Sequence, residues 1–316
     1  MTDHATTQPE NPDLIPAINW RPYVVLAIGL LAVSTAAIFI RLAQDEGAPS
    51  LVLAAARLCV ATLVLTPIVI RRHWAEVRAV GIGDLKWALV SGIVLGLHFA
   101  TWITSLEYTA VVNSVTLVTT TPLWVAILAP IFLNEHLRRG IIIGLIFALG
   151  GGILVGLSGE VGDPPTRHEP LLGNGLALIG ALMAAIYMII GRNLRARLSV
   201  VVYIWLVYGV AAITMVIAVA ISGEPVLGLP AKAYLWMLLM GLFPQLIGHS
   251  SFNYALGYLP AAYVSLVTLV EPVGSGLLAI IFLNEWPVLV QLAGATLILV
   301  GIGVASKEQK IQDVTE

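Results

Sequence analysis

Long apolar runs separated by short polar stretches fill the chain from about position 20 to position 306. A helix crossing a hydrocarbon core of about 30 Å needs roughly 20 mainly apolar residues. Ten runs meet that requirement. In the first half they are Tyr23–Leu42, Ser50–Ile70, Leu85–Ser105, Val111–Phe132 and Gly140–Leu157. In the second they are Leu171–Gly191, Val200–Ile221, Ala233–Asn253, Ala261–Phe282 and Val288–Ser306. The pattern therefore predicts an all-α integral membrane protein of ten transmembrane helices. Residues 1–19 read as a disordered tail, 20–158 as a first five-helix unit, 159–170 as an external linker, 171–306 as a second unit and 307–316 as a tail.

Basic residues orient the runs, because Lys and Arg are retained on the cytoplasmic side of short loops. With the N-terminus inside, Arg21, Arg71, Arg72, Arg78, Lys86, Arg138, Arg139, Arg192, Arg195, Arg197, Lys307 and Lys310 fall in cytoplasmic segments. Only Arg41, Arg167 and Lys232 fall outside, and Arg57 lies within a span. The expectation is a multi-pass protein of the inner (plasma) membrane with both termini cytoplasmic.

Sliding the sequence against itself by 150 positions superposes two copies of one pattern. Pro122, Phe132, Leu133, Asn134, Glu135, Gly144 and Gly151 fall on Pro272, Phe282, Leu283, Asn284, Glu285, Gly294 and Gly301. Five spans is an odd number, so the second copy enters the membrane inverted relative to the first. Inverted repeats are a common architecture of secondary transporters, whose site lies near the midplane between the repeats.

Composition fits this reading. The chain is 59% hydrophobic and 11% charged, against about 25% charged in soluble domains. A net charge of -2 with dispersed basic residues gives no support for nucleic-acid binding. The single cysteine, Cys59, cannot form an intramolecular disulfide and reads as a small core residue. No phosphate loop, zinc-protease motif or nucleotide fingerprint is present, so no cofactor, metal or enzymatic chemistry is expected.

The paired motif, a fourth helix with a mid-span proline that ends in Leu-x-Glu and precedes a glycine-rich fifth helix, resembles the EamA family of the drug/metabolite transporter superfamily. The matching positions are Pro122 with Glu135, Pro272 with Glu285, and Arg57 in its Ala-Ala-Ala-Arg-Leu setting. Asn134 and Asn284 depart from the glycine commoner before the Glu. The resemblance implies transport of a small metabolite, since relatives include exporters of amino acids and other small metabolites.

Glu271 is the sharpest candidate, an acid mid-span beside the helix-breaking Pro272. Acids at that depth are costly and face a cavity or a partner. The competing reading is a structural ion pair with Arg57. His98 and His249 occupy the third and eighth spans, where His98, Trp102 and Ser105 share one helical face and Gln245, His249, Phe252 and Asn253 share another. Interhelical hydrogen bonding is the plainer reading for any one of them. Asn113, Thr116, Thr120 and Trp124 recur beside Pro122, and Thr268 with Glu271 beside Pro272. Tyr187, Trp102 and Trp124 could form an aromatic wall.

Three groups read as structural. Glu135 and Glu285 read as caps of the next helix. Gly140, Gly144, Gly294 and Gly301 permit close helix packing, within the chain or in a homodimer. Trp20, Tyr23, Trp87 and Tyr234 read as interfacial belt residues. The function expected is export of an amphipathic metabolite, such as an amino acid or amine-bearing compound, by alternating access. Uptake or exchange of an organic cation or sugar-like solute remains open, as does a scaffold or enzyme without flux.

Overall fold

The computed structural model describes residues 19–108, 111–135, 137–157, 169–271, 273–275, 277–278 and 289–313. Among the described residues every element is helical. The first half contains α1 (Arg21–Val33), α2 (Ala36–Asp45), α3 (Ser50–Arg72), α4 (Trp74–Ala79), α5 (Ile82–Tyr108), α6 (Val111–Val118), α7 (Thr121–Phe132) and α8 (Arg139–Leu157). The second contains α9 (Pro170–Arg195), α10 (Val200–Ser222), α11 (Ala231–Met240), a π-helical segment (Gly241–His249), α12 (Ser250–Ala255), α13 (Ala261–Val267), a 3-10 turn (Thr268–Val270) and α14 (Leu289–Asp313).

Six helical stretches are long and apolar enough to cross a membrane: Arg21–Asp45, Ser50–Arg72, Ile82–Tyr108, Leu171–Arg195, Val200–Ser222 and Ala231–Ala255. Shorter apolar helices stand where the sequence predicts the fourth, fifth, ninth and tenth spans. Outward faces are apolar, with Leu31, Leu63, Ile146 and Ile213 exposed. Lipid tolerates such faces where water does not.

Local chemistry explains the ends and breaks. Ser199 caps α10, its side chain accepting from the Val202 amide at 3.4 Å, and Gly223 closes it in the left-handed region at φ 70°. The first span, expected to be continuous, turns at Ser34–Thr35, where the Ser34 hydroxyl donates to Leu30 O and that of Thr35 to Ala32 O. Hydroxyls that bond back to the preceding turn compete with the helix ladder. The fourth span breaks at Thr119–Thr120, just before Pro122. Proline has no N–H to give to Val118 O, and the Thr121 hydroxyl donates to that carbonyl instead, at 2.8 Å. Pro122 is thus buried in the first turn of α7, where its missing donor costs little. The ninth span tightens into the 3-10 turn just before Glu271. Pro272, Glu285 and Asn284 lie outside the described residues.

Packing reveals the symmetry of the halves. A Cβ on Gly144 would stand 2.6 Å from Gly301 O, and one on Gly151 would meet Gly294 O. The two contacts run antiparallel along α8 and α14, and the 150-residue shift exchanges one for the other. A two-fold axis perpendicular to α8 and α14 relates these two helices, as inverted repeats would require. These glycines pack within the chain, one of the two alternatives open from sequence. The third helix of each half packs on the first helix of the other, Gly180 against Trp102 and Gly29 against Ser251. Between α3 and α10, Trp205 Nε1 donates to Thr66 Oγ1 at 3.0 Å.

Candidate functional site

Both broken helices open onto one cavity of about 70 Å³. From α6 and α7 come Val118, Thr119 and Thr121, and from the ninth span Thr268 and Glu271. The shift of 150 places Thr121 on Glu271, so one half carries a hydroxyl where the other carries an acid. Arg57 on α3, His98 and Trp102 on α5, Tyr187 and Met188 on α9, and His249, Phe252 and Asn253 complete much of the wall.

The eighth span reaches the cavity through its π-helical segment. Pro244, buried within it, offers no amide to the ladder. The wider turn positions Gln245 and His249, as π segments often do at functional sites. Gln245 is fully buried and its Oε1 accepts from Arg57 Nε at 2.9 Å. The Arg57 guanidinium is also fully buried and its central carbon lies 3.9 Å from the centroid of the Phe99 ring. Among the described residues, neither Arg57 Nη1 nor Nη2 has a hydrogen-bond partner, and the same is true of Trp102 Nε1. The ion pair weighed as the competing reading is not made as a hydrogen-bonded contact among the described residues: Arg57 and Glu271 line one cavity instead.

Aromatic rings continue the wall. His98 stacks on Trp102 with centroids 6.0 Å apart and planes 15° apart. His249 meets Phe99 edge-on at 5.1 Å and Phe252 at 5.9 Å. His98 Nδ1 lies 2.9 Å from Gly180 O. A carbonyl only accepts, so Nδ1 carries the proton and the other ring nitrogen accepts when the ring is neutral. Tyr187 donates to Asn253 Oδ1 at 2.6 Å, and Asn253 Nδ2 donates to Tyr208 at 3.2 Å. That network fixes the Tyr187 ring at the cavity wall.

Of the residues singled out from sequence, His98, Trp102, Tyr187, His249, Thr268, Glu271 and Arg57 line the cavity. Gln245 stands behind it, bonded to Arg57. Trp124 does not line it: this half-buried ring packs against the hydrophobic core from α7. Thr120 caps the α6 break, its hydroxyl donating to Leu117 O at 2.7 Å. Asn113 is on α6, with its side chain outside the described residues. Thr119 and Thr121 join the wall without having been selected, and Asn253 joins it as its helical face implied. Asn253 was visible on the same helical face as Gln245 and His249, and Thr121 as the repeat partner of Glu271.

Glu135 differs from its expected role as a cap of the following helix. Its carboxylate accepts from Arg192 Nε at 2.8 Å and from the Ala261 amide, the first residue of α13, at 3.1 Å. It caps a helix of the other half. Arg192 Nη1 also donates to Leu256 O at 2.9 Å. Nearby, Glu76 accepts from both the amide and the hydroxyl of Ser199 at 2.8 Å, and Arg197 pairs with Asp84 at 3.0 Å. These contacts bind the halves together where α9 ends and α10 begins.

The model of the EamA-like transporter family matches the chain twice, over residues 20–157 and 171–307. The chain belongs to the EamA-like transporter family. This transporter is accordingly a multi-pass membrane protein, and not an enzyme by descent. YyaM of Bacillus subtilis (strain 168), described as an uncharacterized transporter, is 26% identical over 235 residues, covering 71% of this chain and 75% of its own. YdfC of the same organism, described likewise, is 23% identical over 186 residues, 59% of each chain. A protein of known crystal structure superposes with a TM-score of 0.72 over 92% of this chain and 98% of its own, at 20% identity. That likeness speaks to the fold alone.

Proposed function

We propose that this EamA-like transporter is a secondary carrier of ten spans that exports a small amphipathic metabolite, an amino acid or another amine-bearing compound, by alternating access. The observation that carries the reading is Glu271: an acid at a helix break, on the wall of a cavity assembled from both halves and faced with aromatic rings. An intramembrane acid is retained against its insertion cost for function. Broken helices at the repeat interface mark transporter sites. In this reading Glu271 binds the amine or cycles a proton, while His98, Trp102, Tyr187, His249 and Thr268 shape the site. Ligand pockets usually hold about 300 Å³ or more, so the cavity of about 70 Å³ must widen to admit a metabolite. Relative movement of the halves supplies that widening.

Counterflow in proteoliposomes loaded with fractionated metabolite pools tests the proposal, with Glu271→Gln as the variant. We expect the wild-type protein to exchange an amine-bearing fraction and the variant to lose at least about tenfold of that flux while remaining folded. Full activity in a folded Glu271→Gln protein would remove Glu271 from the mechanism, and absence of exchange from every pool would remove transport itself. Topology is tested separately: cysteines placed at Gly162 and Gly223 should react with impermeant reagents from outside, and those at Ala196 and Gln309 should not. The opposite labelling pattern would reverse the orientation.

A further inference from the structure

We infer that Arg57 is an oxyanion subsite of this cavity, taking a carboxylate of the solute on its two terminal nitrogens. The inference rests on the transport reading above and extends it to the solute's anionic group. Two contacts and one open edge prepare the guanidinium for such a ligand. Nε is held by Gln245 Oε1 at 2.9 Å, which fixes one edge. The Phe99 ring lies 3.9 Å beneath the central carbon, which fixes the plane. The remaining edge, Nη1 with Nη2, meets no acceptor although Arg57 is fully buried. A rigid, planar pair of parallel donors is the geometry that a carboxylate accepts with both oxygens.

The surroundings strengthen the match. Trp102 Nε1, in the same cavity wall, is also a buried donor without an acceptor among the described residues. The unmet groups of the Arg57 guanidinium are thus both donors, as a carboxylate ligand requires. Protein interiors rarely leave such groups unpaired without a ligand or functional reason. Arg57 is the single Lys or Arg among the residues lining the cavity, and Glu271 lies in the same wall. One positive charge beside one acid favours a monoanion over a doubly charged phosphate. It also fits a zwitterion whose ammonium group faces Glu271.

Purified full-length protein in nanodiscs and in proteoliposomes tests this with probes that share one isobutyl tail: leucine, leucinamide, isoamylamine and isocaproate. Binding is read by thermal stabilisation and transport by counterflow. We expect leucine to bind at least tenfold more tightly than leucinamide, and isocaproate to lose binding in Arg57→Gln under conditions where isoamylamine does not. Arg57→Gln should bring the leucine to leucinamide ratio close to one, and Arg57→Lys should keep part of it. Arg57→Gln leaves Glu271 without a facing charge, so the double variant Arg57→Gln/Glu271→Gln is compared with Glu271→Gln alone, and isocaproate should stabilise only the latter. An unchanged leucine to leucinamide ratio in both Arg57→Gln proteins overturns the inference, as does tighter binding of inorganic phosphate than of isocaproate. Wild-type flux of isoamylamine and leucinamide equal to that of leucine also overturns it while leaving transport standing. Arg57-dependent binding of isocaproate without flux of any metabolite pool leaves the subsite standing and removes transport.

Discussion

Two inter-repeat regions handle buried polarity in opposite ways. Where α9 ends, Glu135 receives both Arg192 and the Ala261 amide, and Glu76 receives two donors from Ser199. On the cavity wall, three buried donor nitrogens face no acceptor among the described residues: Arg57 Nη1, Arg57 Nη2 and Trp102 Nε1. Both regions join the halves and both are charged. A polar group that serves only the fold gains by being matched, because an unmatched buried group costs about 1–3 kcal/mol and more when charged. The matched region is therefore a fastening between the repeats, and the unmatched one fits the solute subsite proposed for it.

The sharpest way to break this contrast is to remove one charge from each region. Arg57→Leu deletes two unmatched donors along with the Gln245 bond and the Phe99 stack. Removing a buried unpaired charge offsets the cost of leaving Gln245 Oε1 without its donor, so we expect thermal stability to stay within about 1–2 kcal/mol of wild type, while flux falls at least about tenfold, equivalent to about 1.4 kcal/mol. If Arg57 and Glu271 formed only a buried ion pair, removing one partner would instead cost about 3–5 kcal/mol and the double variant would recover it. Measured unfolding of Arg57→Leu, Glu271→Gln and the pair decides between these.

Next in size is the fastening. Arg192 and Glu135 have side chains 28% and 19% exposed, so their hydrogen bonds are well shielded. Arg192→Leu should destabilise the protein by about 2 kcal/mol, in the range for hydrogen bonds to charged groups. The measurement is thermal unfolding in detergent. Loss of flux without loss of stability in Arg192→Leu would place the fastening among the transport groups and erase the contrast. The Arg197–Asp84 pair supplies a control within the same region, since Arg197 is 51% exposed. Exposed pairs contribute about 0–1 kcal/mol, so Arg197→Leu should be close to silent.

The contrast also marks how far the sequence could be read. The apolar runs and the 150-residue repeat were legible because lipid demands length and symmetry leaves identical residues at a fixed offset. Helical faces were legible too, and they brought His98, Trp102, Tyr187, His249 and Thr268 to one cavity with Glu271 and Arg57. Periodicity gives a face but not the neighbour it meets. Trp124 shares the face of Thr120, yet it packs against the main hydrophobic core and is absent from the cavity lining. The break expected at Pro122 falls one turn earlier, because three consecutive threonine hydroxyls bond back to the last turn of α6 at Val115, Leu117 and Val118. The Gln245 anchor depends on the π-helical register of residues 241–249, which a uniform 3.6-residue period does not describe. Glu135 carried a correct signal for helix capping but the capped helix lies 126 residues away.

The smallest expected effect concerns Glu76, whose short helix α4 lies between spans. Burial alone would push its carboxyl up, but the Ser199 hydroxyl and amide, together with His73 at 3.4 Å, outweigh it and hold the group below the usual carboxylate range. Because the folded value is depressed, the ionised form is favoured by folding. The stabilisation it brings is complete above the unfolded value, about 4.3 for Glu, and disappears as pH falls through the lower folded value. Glu76 is 33% exposed at its side chain, and Glu76→Gln keeps an oxygen for Ser199, so the difference at neutral pH should be a few tenths of a kcal/mol. Thermal unfolding of wild type and Glu76→Gln, followed from neutral to acid pH, should show the two curves converging on the acid side. A gap that widens as pH falls would mean that Glu76 is not held ionised by Ser199, and the fastening would lose one of its matched members.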